Sequence, residues 1–322
     1  MQSAPESDLP EFVRHPIVII VGPTAVGKTE ISIQLAERLD GEIISADSRL
    51  FYREMDIGTA KPSRDEMARV PHHLIDIADP DDVIGLSRFQ KAARKTIQEV
   101  RARGRLPFLV GGTGQYVRAV IEDWDVPKVE PSPALRIALE RWSESIGPEG
   151  LHQRLSVLDP RAAEAIDFRN LRRTIRALEV VLLTGEMFSA QKRRGRPLYH
   201  ALLLGLNRPR TELYERVDGR VDAMIEAGLV KEVETLLKRG YSSDLPSLSA
   251  IGYREIIAHL QGRTSLEEAI TLIKRSTRVL VRRQANWFKE SDPDIHWFHP
   301  GPSIVDRMEV EIKGWLKELE LM

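Results

Sequence analysis

Short apolar runs separated by polar stretches set the pattern of the first third of the chain. Residues 17–21 (IVIIV) form a β-branched run bounded by Pro16 and Gly22. Such a run suits a strand buried on both faces. Residues 29–39 carry Ile31, Ile33, Leu35, Ala36 and Leu39, which give a helix one apolar face. Residues 42–46 (EIISA) predict a second strand, ending at Asp47. Residues 87–103 predict an amphipathic helix. Residues 106–110 (LPFLV) predict a third strand, which runs into Gly111, Gly112, Thr113 and Gly114. Strands alternating with helices predict a parallel sheet in an α/β fold.

The pattern then changes. From about residue 127 to 195 the signals are helical, with breaks at Pro131, Pro133, Gly147 and Pro160. Residues 201–206 (ALLLGL) predict a returning strand, so the helical section reads as an insertion into the sheet domain. Further helices are expected over 221–239 and 265–288. The expected organisation is a disordered lead-in over 1–14, an α/β core over 15–126 and 200–322 with a helical C-terminal part, and an inserted helical subdomain over 127–199.

Composition narrows the class. The 322 residues are 42% hydrophobic and 30% charged, as a soluble protein with a sizeable core requires. No run of about 18 apolar residues exists. The first residues, MQSAPESDLPEF, lack the basic start and apolar stretch of a signal peptide, so a cytoplasmic protein is expected. With no cysteine there are no disulfides and no thiolate metal sites. A net charge of −1 does not mark a nucleic-acid binder, so the distribution of charge matters more.

The segment GPTAVGKT, from Gly22 through Pro23, Thr24, Ala25, Val26, Gly27 and Lys28 to Thr29, fits the phosphate-loop pattern between a strand and a helix. The glycines permit a tight backbone whose N–H groups point inward, and the helix N-terminus favours an anion. Lys28 reaches an outer phosphate, and the Thr29 hydroxyl can ligate Mg²⁺. The fold expected is therefore P-loop NTPase-like. A nucleotide-hydrolysing enzyme also needs a strand-end Asp for Mg²⁺, yet LPFLV ends in glycines. The strand-end acid is Asp47, at the carboxyl end of the sheet, where open α/β sheets bind ligands. Asp47 reads equally well as a catalytic group and as a turn or cap residue.

Further motifs follow in order: ISADSRLFYREMDIGTAKP, PHHLIDI, VGGTGQYVRAV, LRRTIRALEV, IGYREI and RRQANWFK. On these the chain resembles bacterial tRNA dimethylallyltransferases, also called tRNA isopentenyltransferases, over nearly its whole length. Leu50 stands where many members have Gln, and Gln115 where many have Leu. The resemblance implies transfer of the dimethylallyl group of dimethylallyl diphosphate to N6 of the adenosine 3′-adjacent to the anticodon of tRNA. It also implies Mg²⁺ as cofactor, diphosphate as product, Asp47 as the base, Thr113 at the substrate junction and Arg136 on the leaving group or tRNA. Its tRNA-contacting segments match Asp47, Ser48, Arg49 and Leu50; Leu171, Arg172, Arg173, Thr174 and Ile175; and Ser249, Ala250, Ile251, Gly252, Tyr253 and Arg254. The enzyme is expected to act as a monomer on the anticodon stem-loop, with no membrane partner.

Three basic clusters suit that partner. Arg169, Arg172, Arg173 and Arg176 recur at helical spacing, Lys192, Arg193, Arg194 and Arg196 form a loop, and Arg275, Arg278, Arg282 and Lys289 would share one helix face. Basic helix faces are more often simply solvated. Tyr253 could stack on a base or be buried. His72 and His73 point apart on most backbones and have no third ligand nearby, so they read as structural or RNA-facing. Competing readings are a phosphate-loop nucleotide kinase or ATPase, an RNA-binding module, and a prenyltransferase acting on a free adenine nucleotide.

Overall fold

In the computed structural model, residues 15–127, 129, 131–190 and 197–320 are described. The expected lead-in over 1–14 and the cluster Lys192, Arg193, Arg194 and Arg196 lie outside them. The described residues up to Ile121 and from Pro197 onward form one compact unit, and those between form a second.

The main unit is built on six strands: β1 (Pro16–Val21), β2 (Gly41–Ser45), β3 (His72–His73), β4 (Leu106–Gly111), β5 (His200–Leu206) and β6 (Ile295–Phe298). All pair in parallel, in the order β3-β2-β4-β1-β5-β6. The first strand in the chain thus lies between β4 and β5, which explains why IVIIV has no polar position. Ile17, Ile19 and Val21 enter one core, and Val18 and Ile20 enter another on the opposite face.

Helices α1 (Lys28–Arg38), α2 (Arg64–Arg69), α3 (Leu86–Ala102) and α4 (Gly114–Ile121) belong to the first part of this unit. The first core takes Phe89, Ala93, Ile97 and Val100 of α3, and the second takes Ile31, Ile33 and Leu35 of α1. Phe51, Phe89 and Tyr116 stack with ring centroids 4.5–5.9 Å apart. Burial pushes the Tyr116 phenol up to about 12, with Tyr52 adding to the shift.

The second unit holds α5 (Pro133–Leu158), α6 (Pro160–Ala165) and α7 (Leu171–Thr184). Ser132, Asp159 and Asn170 cap them through their side chains. Gly147, at φ 77°, breaks α5 just before Pro148. The unit has its own core of Leu139, Leu151, Leu155, Ala162, Ile166, Ile175 and Leu178.

The main unit ends with α8 (Arg210–Glu226), α9 (Leu229–Lys238), α10 (Tyr253–Leu260), α11 (Leu266–Ala285) and α12 (Ile304–Glu320). The single helix expected over 221–239 is instead two. Gly228, at φ 100°, ends α8 and starts α9 in a conformation that a side chain resists. The last long helix also stops at Ala285, so Lys289 does not share its face. Among the described residues no helix is long and apolar enough to cross a membrane.

Candidate active site

Three loops meet at the carboxyl ends of β1, β2 and β4, and glycines let them. A Cβ on Gly22 would lie 2.4 Å from the Leu206 carbonyl oxygen. One on Gly111 would lie 2.5 Å from the Ala46 oxygen, and one on Gly112 would lie 2.4 Å from Gln284 Nε2. One on Gly114 would lie 2.3 Å from Trp287. The glycines of the GGTG run thus let Ala46, Gln284 and Trp287 approach closely, and a side chain at Gly111 would meet the Ala46 backbone.

The phosphate loop is held by cations. Lys28 Nζ donates to the carbonyls of Gly22 and Pro23, both at 2.9 Å. Arg216 Nε, on α8, donates to the Ala25 carbonyl at 2.7 Å, and Arg208 Nε to that of Val26 at 3.1 Å. In a trans peptide the N–H points opposite to the C=O. The amides of Val26 and Gly27 thus face away from the two arginines. Ala25, at φ 64°, carries strain of the kind that clusters at functional loops. The Thr24 N–H donates to Gln284 Oε1 at 2.8 Å.

Arg220, one turn beyond Arg216, is half-buried and lies close enough to lower the Lys28 pKa. Among the described residues no carboxylate pairs with Arg216 or Arg220. Burial, then the Arg216 charge, pulls the Arg220 guanidinium below its usual range. Burial likewise brings Lys28 down to about 8, against the opposing pull of Asp47. Arg208 is also paired with Glu212, so among the described residues Lys28, Arg216 and Arg220 carry the unpaired positive charge at the loop, which suits an anion. Sequence reading missed Arg208, Arg216, Arg220 and Gln284. In the helical pattern the arginines look like ordinary solvated residues.

Asp47 follows β2, with the Ala46 N–H donating to the Val110 carbonyl at 2.8 Å. Its Oδ1 accepts the Arg49 N–H at 3.0 Å, an Asx turn that fixes the carboxylate beside the loop. The turn reading and the catalytic reading are thus compatible. Among the described residues no cation lies within ion-pair distance of Asp47, and the group is half-buried. Thr113, also half-buried, starts α4 on the neighbouring strand end.

The segments expected to contact tRNA divide by burial. Arg49 donates to the carbonyls of Pro246 and Ser247, at 3.1 and 3.3 Å, so the turn holding Ser48 and Leu50 adjoins Ser249. Tyr253 is fully buried and is no stacking platform. Its hydroxyl donates to Glu232 at 2.6 Å, and Glu232 also accepts the N–H groups of Asp56, Ile57 and Gly58 at 2.8–3.2 Å. A Cβ on Gly58 would lie 2.4 Å from the Tyr253 ring. IGYREI and DIGTAKP therefore lock together, and burial raises the Tyr253 phenol far above its ordinary range. Ala250, Gly252, Thr174 and Ile175 are buried as well, so their side chains offer no surface, whereas Arg172, Arg173, Ser249 and Arg254 are exposed and Leu171 and Ile251 are partly so.

On α11, Arg278 pairs with Asp218 and lies over the Tyr214 ring, 5.4 Å from its centre. Arg275, Arg282 and Arg283 are exposed, with Arg282 donating only to the Tyr214 hydroxyl at 3.3 Å. Arg136, in the second unit, is held by the fully buried Glu179, with Nε and Nη2 donating at 2.9 and 2.8 Å. Arg176 and the Ser132 N–H also donate to Glu179. His72 bonds the Val70 carbonyl and His73 bonds Glu42, so both are structural. No group of three His, Cys, Asp or Glu suited to a metal occurs among the described residues. The Thr29 side, exposed at the start of α1, instead suits Mg²⁺ brought by a substrate phosphate, since that ion keeps its waters and takes few protein ligands.

A phosphate loop, a strand-end carboxylate without a cationic partner among the described residues and nearby unpaired cations are the parts that a group-transfer enzyme needs. The IPP transferase family model matches residues 50–291. A tRNA dimethylallyltransferase of Roseiflexus sp. (strain RS-1) is 53% identical over 85% of this chain and 90% of its own length. That of Thermomicrobium roseum is 46% identical over 95% and 90%. The chain belongs to the tRNA dimethylallyltransferase family. Among solved structures, the tRNA isopentenylpyrophosphate transferase of Bacillus halodurans is 44% identical with a TM-score of 0.71, over 95% of this chain and 98% of that one. A eukaryotic dimethylallyltransferase crystallised acting on tRNA is 26% identical with a TM-score of 0.78, over 92% and 77%.

Proposed function

We propose that this enzyme moves the dimethylallyl group of dimethylallyl diphosphate to N6 of the adenosine on the 3′ side of the anticodon in tRNA. The observation that carries the reading is Asp47, a carboxylate without a cationic partner, electrostatically coupled to the lysine of a phosphate loop. In the transfer, the bond between the allylic carbon and the diphosphate oxygen breaks, and its electron pair leaves with diphosphate. The N6 lone pair forms the new C–N bond, and the N6 proton passes to the Asp47 carboxylate. An adenine amine is a weak nucleophile, so this base matters. The Gly27 amide, Lys28 and Arg220 stabilise the charge that grows on the leaving group, while the Val26 N–H is taken up by the Pro23 carbonyl at 3.4 Å. Thr29 and the diphosphate oxygens would hold Mg²⁺, which supplies further neutralisation there.

The target base must leave the loop stack to reach Asp47. Exposed Arg172, Arg173, Arg275, Arg282 and Arg283 supply phosphate contacts that a free nucleotide would not need. The test supplies labelled dimethylallyl diphosphate together with undermodified tRNA, or with AMP. Label on N6 of tRNA alone is the expected result. Label on AMP at a comparable rate, or ATP hydrolysis without transfer, overturns the reading.

A further inference from the structure

Gln284 lies in the last turn of α11, outside both loops that it joins. Its Oε1 accepts the Thr24 N–H at 2.8 Å, and its Nε2 donates to the Gly112 carbonyl at 3.2 Å. Thr24 belongs to the loop after β1, and Gly112 immediately precedes Thr113 in the loop after β4. Both backbone partners have fixed roles, one donor and one acceptor, so the amide orientation is unambiguous. A primary amide supplies one of each across this gap at neutral pH.

The contact is close as well as polar. The Gly112 position leaves no room for a Cβ against Nε2. Gln284 also lines a cleft of about 1090 Å³ with Gly22, Pro23, Arg208, Arg282 and Lys289. The side chain therefore lines the cleft beside the start of the phosphate loop itself. The two loops it bridges carry different duties, anion binding on one and Thr113 on the other.

We propose that Gln284 is a positioning residue that ties the phosphate loop to the Thr113 loop, so that seating of the diphosphate fixes the substrate junction. This rests on the prenyl-transfer reading above. Gln284→Met keeps the length and volume of the side chain and removes both bonds. Loss of two hydrogen bonds at a site of this kind predicts about tenfold weaker binding of inorganic diphosphate and about tenfold lower kcat. The tRNA Kd stays within about twofold, and Tm within about 2 °C.

Gln284→Glu separates positioning from packing. A carboxylate can accept from Thr24 but repels the Gly112 carbonyl, whereas a protonated carboxyl restores one donor and one acceptor. The Gln284→Glu carboxyl stays ionised from about pH 6 to pH 8, so this variant should bind diphosphate at least as weakly as Gln284→Met across that range. The proposal is overturned by wild-type kcat and diphosphate affinity in Gln284→Met. A loss matched by equal falls in tRNA affinity and Tm, or wild-type diphosphate affinity in Gln284→Glu, overturns it too. If the wild type transfers no prenyl group, the functional reading fails, and the diphosphate titration still decides the role of Gln284.

Discussion

Cations surround backbone at the phosphate loop and a carboxylate in the helical unit. At the phosphate loop, Lys28 and Arg216 donate to peptide carbonyls, and Arg220 has no acidic partner among the described residues. In the helical unit, Arg136 and Arg176 both close on the fully buried Glu179. A carbonyl orients an arginine without neutralising it, so the charge stays available to a ligand. A buried carboxylate absorbs the charge, and the pair then serves the fold. Counting arginines along the sequence cannot distinguish the two cases; their partners can.

The largest test removes the carboxylate that faces the cations. Asp47→Asn should lower kcat by about 10²–10⁴-fold, with tRNA affinity nearly unchanged. Survival of turnover would place the base elsewhere. Arg220→Gln should lower kcat/KM for the prenyl donor by about 10²-fold and leave Tm alone; a fall in Tm with intact kinetics would make it a structural residue like Arg136.

Arg136→Gln is the converse. It leaves Glu179 with Arg176 and the Ser132 N–H, and should destabilise the protein by about 2 kcal/mol. Chemical denaturation measures this, and the donor KM should stay unchanged. A raised KM at full stability would instead support the role that the family resemblance gives Arg136.

The Lys28 prediction follows from its lowered pKa of about 8. The ammonium is complete below that value and is lost as pH rises through it. For the free enzyme, kcat/KM for the donor should therefore fall above about pH 8, approaching tenfold per unit. Lys28→Arg, which stays charged, should abolish that limb while lowering the maximum. The smallest effect compares Arg275 with Arg278. Arg275→Gln should reduce the salt dependence of tRNA binding by nearly one unit of slope. Arg278→Gln should change it less, because Asp218 already neutralises Arg278. Equal slopes for both would remove the contrast.

The four long core strands were legible because continuous β-branched or aliphatic runs have few other uses. His72–His73 was not, since two polar residues at a sheet edge need only backbone pairing. The chain break at Gly228 was hidden because Val221, Leu229, Val233 and Leu236 keep helical spacing across it. In the site, Lys28 and Asp47 were visible as a local motif and a strand end. Arg216, Arg220 and Gln284 reach the loop from about 190 to 260 positions away in sequence, and nothing in their own neighbourhoods marks them. Of the two readings open for Tyr253, the structure bears out burial: the ring packs against Gly58.

The placement of β1 has a consequence for synthesis. The strand leaves the ribosome before any of its partners, and it lies between β4 and β5 in the finished sheet. Thr24 then waits for Gln284, 260 residues later. At about 5–20 residues per second, a nascent chain holds an unfinished phosphate loop for roughly 10–50 s. IVIIV gains its first neighbour when β4 emerges and its second when β5 does, both well before Gln284. The phosphate loop thus acquires its Gln284 contact only after α11 has emerged.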